Sequence, residues 1–162
     1  MTIFGKQVSE YAAFQKGILW LIVIVALGRL GFSLAGVPNS TVKWLSVTVV
    51  ALLGLIYYAI RVHTTGFGSY KQLLVICALQ NLEAQAVAIF GIVLAILTGT
   101  GNIYSAPEYA FGGNGATWLH AGAHLLIGTT AGSVIPWIVG SGILAVTRKV
   151  SPLPDRNVKS LA

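Results

Sequence analysis

The sequence predicts an all-α integral membrane protein, a four-helix bundle with both termini cytoplasmic. Three observations carry this. Of 162 residues, 56% are hydrophobic and only 9% charged, whereas a soluble domain carries roughly 25% charged residues. The apolar residues fall into four long blocks, each reaching the ~20 residues that cross a ~30 Å hydrocarbon core. Basic residues flank these blocks asymmetrically. Lys6, Lys16, Arg61, Lys71, Arg148, Lys149, Arg156 and Lys159 fall on one side and Lys43 alone on the other, eight against one, which places the termini inside.

The spans follow in order. The first covers residues 16–36 and ends at the Val37-Pro38-Asn39-Ser40 turn, because proline disfavours helix in the residue before it. The second covers 41–62 and stops at the Thr64-to-Ser69 break with its two glycines. The third covers 70–98. A loop rich in Gly, Asn and aromatics fills 99–116, and the fourth span covers 117–147 with Pro136 as a kink. The first fifteen residues are mixed and polar. Residues 1–150 thus form a single four-span domain, and 151–162, with Pro152, Pro154 and mixed charge, read as a flexible cytoplasmic tail. Tyr104, Tyr109, Phe111 and Trp118 are expected in the outer aromatic belt, Trp20 and Tyr70 in the inner one. Gly91, Ala95 and Gly99 make a small-residue stripe expected to pack on Gly128 and Gly132 of span four.

Two groups of polar residues inside the spans are candidate sites. Glu83 sits in the middle of span three, where a carboxylate costs at least about 2.5–3.5 kcal/mol. Arg29 lies 13 residues past Lys16 and Glu83 lies 12 past Lys71. At 1.5 Å per residue both stand about 18–20 Å above those basic anchors, which suggests an ion pair. Gln80, one turn below Glu83, completes this buried polar centre; Asn81 and Gln85 project from another side of the same helix. The second group is His120 and His124. Their i, i+4 spacing puts both imidazoles on one helix face, and with Glu108 of the outer loop they make a three-ligand candidate for a divalent metal. Haem is the other cofactor considered, but two histidines of one helix cannot be opposite axial ligands of one haem, and His63 lies at the far end of span two, as a solvated interfacial residue.

The +6 net charge reads as topology anchoring against anionic lipid rather than nucleic-acid binding. The only cysteine, Cys77, allows no intrachain disulfide. No phosphate-binding glycine loop, H-E-x-x-H or CxxC motif occurs, and Asp155 is the only aspartate, so hydrolase or kinase chemistry has no support. Three functional readings follow. The leading one is a non-enzymatic accessory or assembly subunit of a larger membrane complex. The second is a metal- or haem-binding redox protein using His120 and His124. The third is an oligomeric proton-coupled carrier or channel using Arg29 and Glu83. The expected partners are the lipid bilayer and a homo-oligomer or membrane complex, and the expected location is a multi-pass protein of the inner membrane if the source is bacterial.

Overall fold

The computed structural model describes residues 1–110 and 112–152. Phe111, and the proposed tail beyond residue 152, lie outside the described residues. Four helical stretches are long and apolar enough to cross a membrane: Lys16–Leu34, Asn39–Thr64, Tyr70–Thr98 and Trp118–Val150. The four-block pattern of the sequence is therefore realised as four helices.

The chain begins with a two-stranded hairpin, β1 (Thr2–Ile3) and β2 (Lys6–Gln7), which turns through Phe4 and Gly5, both at positive φ. Helix α1 (Val8–Phe14) follows. These elements were not expected from the mixed, polar N-terminal sequence. What holds them is burial: Tyr11 is fully buried, its hydroxyl donates to the Ile3 carbonyl at 2.9 Å, and Phe14 stacks on Phe67 at 3.9 Å. Gln72 Nε2 donates to the Phe4 carbonyl, tying the hairpin to the start of the third long helix.

Helix α2 (Lys16–Leu34) ends before Gly36, at φ +77, and Pro38. The second stretch is interrupted near its start. A short helix α3 (Asn39–Val42) precedes a break, and α4 (Val47–Thr64) starts at Ser46, whose side chain accepts from the Val49 amide. The serine cap supplies an acceptor that the helix start lacks. Helix α5 (Tyr70–Thr98) matches its predicted bounds. Ser69 and Gln72 form a reciprocal capping box at its start, and Gly99, left-handed at φ +69, closes it. The loop after α5 holds two 3-10 turns, Ile103–Ser105 and Pro107–Tyr109. Helix α6 (Trp118–Ala123) runs through a π-helical segment, His124–Gly128, into α7 (Thr129–Val150), which contains Pro136.

Helices α5 and α7 share the most extensive interface, and α4 packs on α7 and α2 on α5. The apolar core (Tyr11, Leu55, Tyr58, Val62, Leu73, Ile76, Leu144) fills the end of the bundle at which α1, the α4–α5 turn and the end of α7 meet. We call this the basic end, and the opposite one the loop end. His63 belongs to the basic end but is not solvated there. It is buried, and its Nε2 lies 2.8 Å from the Ser151 carbonyl, joining the ends of α4 and α7. The outer face of the bundle is apolar, with Trp20, Ile24, Leu53, Leu126 and Ile138 all exposed.

Candidate functional site

Polar side chains inside the bundle gather in three places. The first is at the basic end, where Gln80 Nε2 donates to Gln15 Oε1 at 2.9 Å, both side chains buried. Gly54 makes room for this bond: a Cβ there would lie 3.0 Å from Gln80 Oε1 and 2.8 Å from Ile18. The Gln15–Gln80 bond also fixes the register of α2 against α5, and that register separates the expected ion pair. Arg29 lies 14 residues beyond Gln15 but Glu83 only 3 beyond Gln80, so the two differ in depth by ~16 Å at 1.5 Å per residue. Counting from lysines failed because α5 starts ten residues before Gln80, whereas α2 starts one residue after Gln15. The first turns of α5 pack against α1, an element absent from the count.

Arg29 and Glu83 therefore do not pair. The Arg29 guanidinium donates to Asn39 Oδ1 through Nη2, and its Nε is buried without a partner. Glu83 Oε2 is likewise buried without a partner, at a groove of about 430 Å³ lined by Ala12, Ala13, Lys16, Leu19, Trp20 and Val23. Among the described residues the single ion pair is Lys6–Glu10, on the surface. Contacts this far apart behave independently, so the stability losses of Arg29→Ala and Glu83→Ala are expected to add within about 0.5 kcal/mol in the double variant. Denaturation of the four proteins checks this, and a double variant no worse than either single one would restore the direct pair.

The second place is a relay between α5 and the π-helical segment. Asn81 Nδ2 donates to the Gly128 and Thr129 carbonyls and to Ser133 Oγ, at 3.1, 2.9 and 3.1 Å. Gln85 Nε2 donates to Asn81 Oδ1, and Gln85 Oε1 lies 2.6 Å from His124 Nδ1. Gly128 and Gly132 are the floor under these amides. A Cβ at Gly128 would come within 2.9 Å of Gln85 Nε2, and one at Gly132 would overlap Asn81 Oδ1. The glycines of span four thus seat polar side chains of α5 rather than its small-residue stripe. Gly91, expected to face span four, instead receives the ring of Tyr104. The sequence did hold a signal for the relay: polar residues at 81 and 85 match glycines at 128 and 132 in spacing.

The third place is a cavity of about 400 Å³ towards the loop end, walled by α2, α4, α5 and the loop turns, with Arg29, Tyr104, Tyr109, His124, Gln85 and Asn81 among its lining. It brings together Arg29 and His124, which the sequence had assigned to different sites. Tyr104 is not part of an exposed aromatic belt. Its hydroxyl donates to the Ala26 carbonyl of α2 at 2.9 Å. Burial pushes the Tyr104 phenol up to about 12, against the opposing pull of the Arg29 charge, so it remains a donor at any physiological pH. Tyr109 and Trp118 are exposed, as a belt position requires.

Glu108 does not join the histidines. It lines a separate shallow pocket with Ser33, Asn39 and Asn102. Among the described residues no three His, Cys, Asp or Glu side chains converge on one point, so the three-ligand set of His120, His124 and Glu108 is not assembled. The two imidazoles themselves are adjacent, ring centroids 4.9 Å apart. No family model, curated protein or solved structure matches this chain.

Proposed function

We propose that this chain is a multi-pass membrane protein, termini on the cytoplasmic side, that binds a small molecule carrying an anionic group in the Arg29 cavity. The membrane reading is supported by the four apolar helices, the apolar outer face and the eight-to-one charge asymmetry. The ligand reading is carried by one observation: a guanidinium with a buried, partnerless Nε lines a cavity and has no carboxylate within 4 Å among the described residues. A half-buried guanidinium that leaves one buried donor unsatisfied and has no counter-ion carries a desolvation cost. An anionic ligand supplies that counter-ion, while the Tyr109 hydroxyl and the second Nε2 hydrogen of Gln85 offer hydrogen bonds around it. The volume suits a small ligand, since pockets for such molecules run about 300–1,000 Å³ with a few convergent polar groups. Arg also presents a fork that matches carboxylate or phosphate oxygens.

A ligand that binds only the folded state stabilises it, by about 2.7 kcal/mol at a hundred times its dissociation constant. Thermal unfolding of the detergent-purified chain is therefore measured with octanoate, benzoate and inorganic phosphate as probes. At least one carboxylate or phosphate probe is expected to raise the unfolding temperature of the wild type and to leave Arg29→Gln unmoved. Equal shifts in both proteins, or none in the wild type across the panel, would remove the reading.

The accessory-subunit reading keeps one specific support. Glu83 presents an unpartnered carboxylate oxygen in a groove otherwise lined by apolar residues and Lys16, which a basic residue on another chain would satisfy. On that reading Glu83→Gln leaves the isolated chain as stable as the wild type but lowers the apparent mass of its complex on native gels of solubilised membranes. An unchanged mass would count against it. The carrier reading in its first form required Arg29 and Glu83 to act together, and their separation in depth leaves it without that support.

A further inference from the structure

The relay between α5 and α7 has a direction, and the direction fixes the protonation of His124. Backbone carbonyls only accept, so the Asn81 amide turns its Nδ2 to Gly128 and Thr129, and Ser133 Oγ, whose own proton goes to Thr129, accepts from it as well. Asn81 Oδ1 is then left to accept from Gln85 Nε2. Gln85 Oε1 in turn faces His124 and must receive the proton on Nδ1. His120 reaches the same state by a shorter route, because its Nδ1 lies 2.8 Å from the Gly115 carbonyl. Each neutral imidazole therefore carries hydrogen on Nδ1 and a lone pair on Nε2. Among the described residues neither Nε2 has a hydrogen-bond partner.

From this geometry we infer that His120 and His124 form a two-imidazole site for a divalent cation of the imidazole-seeking class, Cu²⁺ or Zn²⁺, at the loop end of the bundle. Metal-binding histidines characteristically donate their other ring nitrogen to a carbonyl or carboxylate, which fixes tautomer and ring orientation, and here both do. The rings stand on successive turns of one face with centroids 4.9 Å apart. The π-helical segment begins at His124, and such segments recur at functional sites. Two neutral protein ligands leave the remaining positions to water or an exogenous ligand. Among first-row ions Cu²⁺ binds such nitrogen donors most tightly. Glu108 takes no part, and the inference does not depend on the anionic-ligand reading, because its test reads the metal alone.

The full chain, carrying no polyhistidine tag, is purified in detergent, stripped with chelator and titrated with Cu²⁺ by equilibrium dialysis. Binding of one Cu²⁺ per chain is expected, tighter than that of Zn²⁺. Electron paramagnetic resonance should show coupling to two imidazole nitrogens. Binding is expected to vanish in His120→Ala/His124→Ala, to persist in His63→Ala, and to weaken about 10–100-fold in Gln85→Leu, which frees the His124 ring. A spectrum with one coupled nitrogen or none, or uptake retained by the double variant, would overturn the site. Unchanged affinity in Gln85→Leu would overturn the tautomer argument. The spectrum of the wild type decides the matter even if a variant fails to fold.

Discussion

Gly115→Ala is expected to destabilise the protein by about 3 kcal/mol, towards the upper end of what overpacking costs. The reason is that nothing around Gly115 can give way. A Cβ there would overlap the carbonyl of Ser105 and sit 3.0 Å from its Cα. These are backbone atoms, and Ser105 is itself held by hydrogen bonds to Asn102. The loop must therefore open, and with it goes the Gly115 carbonyl that anchors His120 Nδ1. Two neighbours provide the contrast. A Cβ at Gly113 meets only the Ala110 carbonyl at 3.4 Å, and one at Gly101 meets nothing within 4 Å. Reversible denaturation of the three alanine variants checks the order, and equal losses at 115 and 101 would show that flexibility, not contact, explains the glycine.

Gly91→Ala is expected to cost about 1–3 kcal/mol and to displace Tyr104. The added methyl would lie 2.6 Å from Tyr104 Cδ2 and 3.2 Å from both Tyr104 Cβ and Asn102 Oδ1. The ring cannot simply swing away. Its hydroxyl is fixed to Ala26, its amide donates to Asn102 Oδ1, and Asn102 Nδ2 donates to the Gly91 carbonyl at 2.7 Å. Because Tyr104 also walls the Arg29 cavity, the variant should lose ligand-induced stabilisation as well. Gly28→Ala and Gly31→Ala, which meet nothing within 4 Å, are expected to be near neutral. A Gly91→Ala protein with wild-type unfolding would mean that Tyr104 is not seated as described.

The four long helices were legible because length and apolarity are one-dimensional properties, readable without knowing neighbours. Helix α5 could be bounded to the residue, since Ser69, Gln72 and Gly99 are local signals. Relative depth was not legible. It depends on which residue of α2 faces which residue of α5, and the Gln15–Gln80 bond that decides this joins residues 65 apart. For the same reason the two charges, each correctly singled out as costly, were joined to the wrong partners. Tyr104 shows a different limit. An aromatic in a polar loop reads as a belt residue, and only the gap left by Gly91, on another element, reveals that it inserts. The adjacency of the two histidines was legible from their spacing, but the partners of their Nδ1 atoms, Gly115 and Gln85, were not.

The Tyr104–Ala26 bond has a consequence for how the chain is made. Synthesis proceeds from the N-terminus, and early segments can begin to fold before later ones exist. Residue 104 is made 78 positions after residue 26, when α2, α4 and α5 have all left the peptidyl-transfer centre. The contact between α2 and α5 is thus clasped late at the loop end by a residue that follows both helices, although the Gln15–Gln80 bond at the basic end needs no later segment. A released chain ending before residue 104 would keep the Gln15–Gln80 bond between α2 and α5 at the basic end but lack the Tyr104 clasp at the other, so the two helices could splay where the fourth has still to enter.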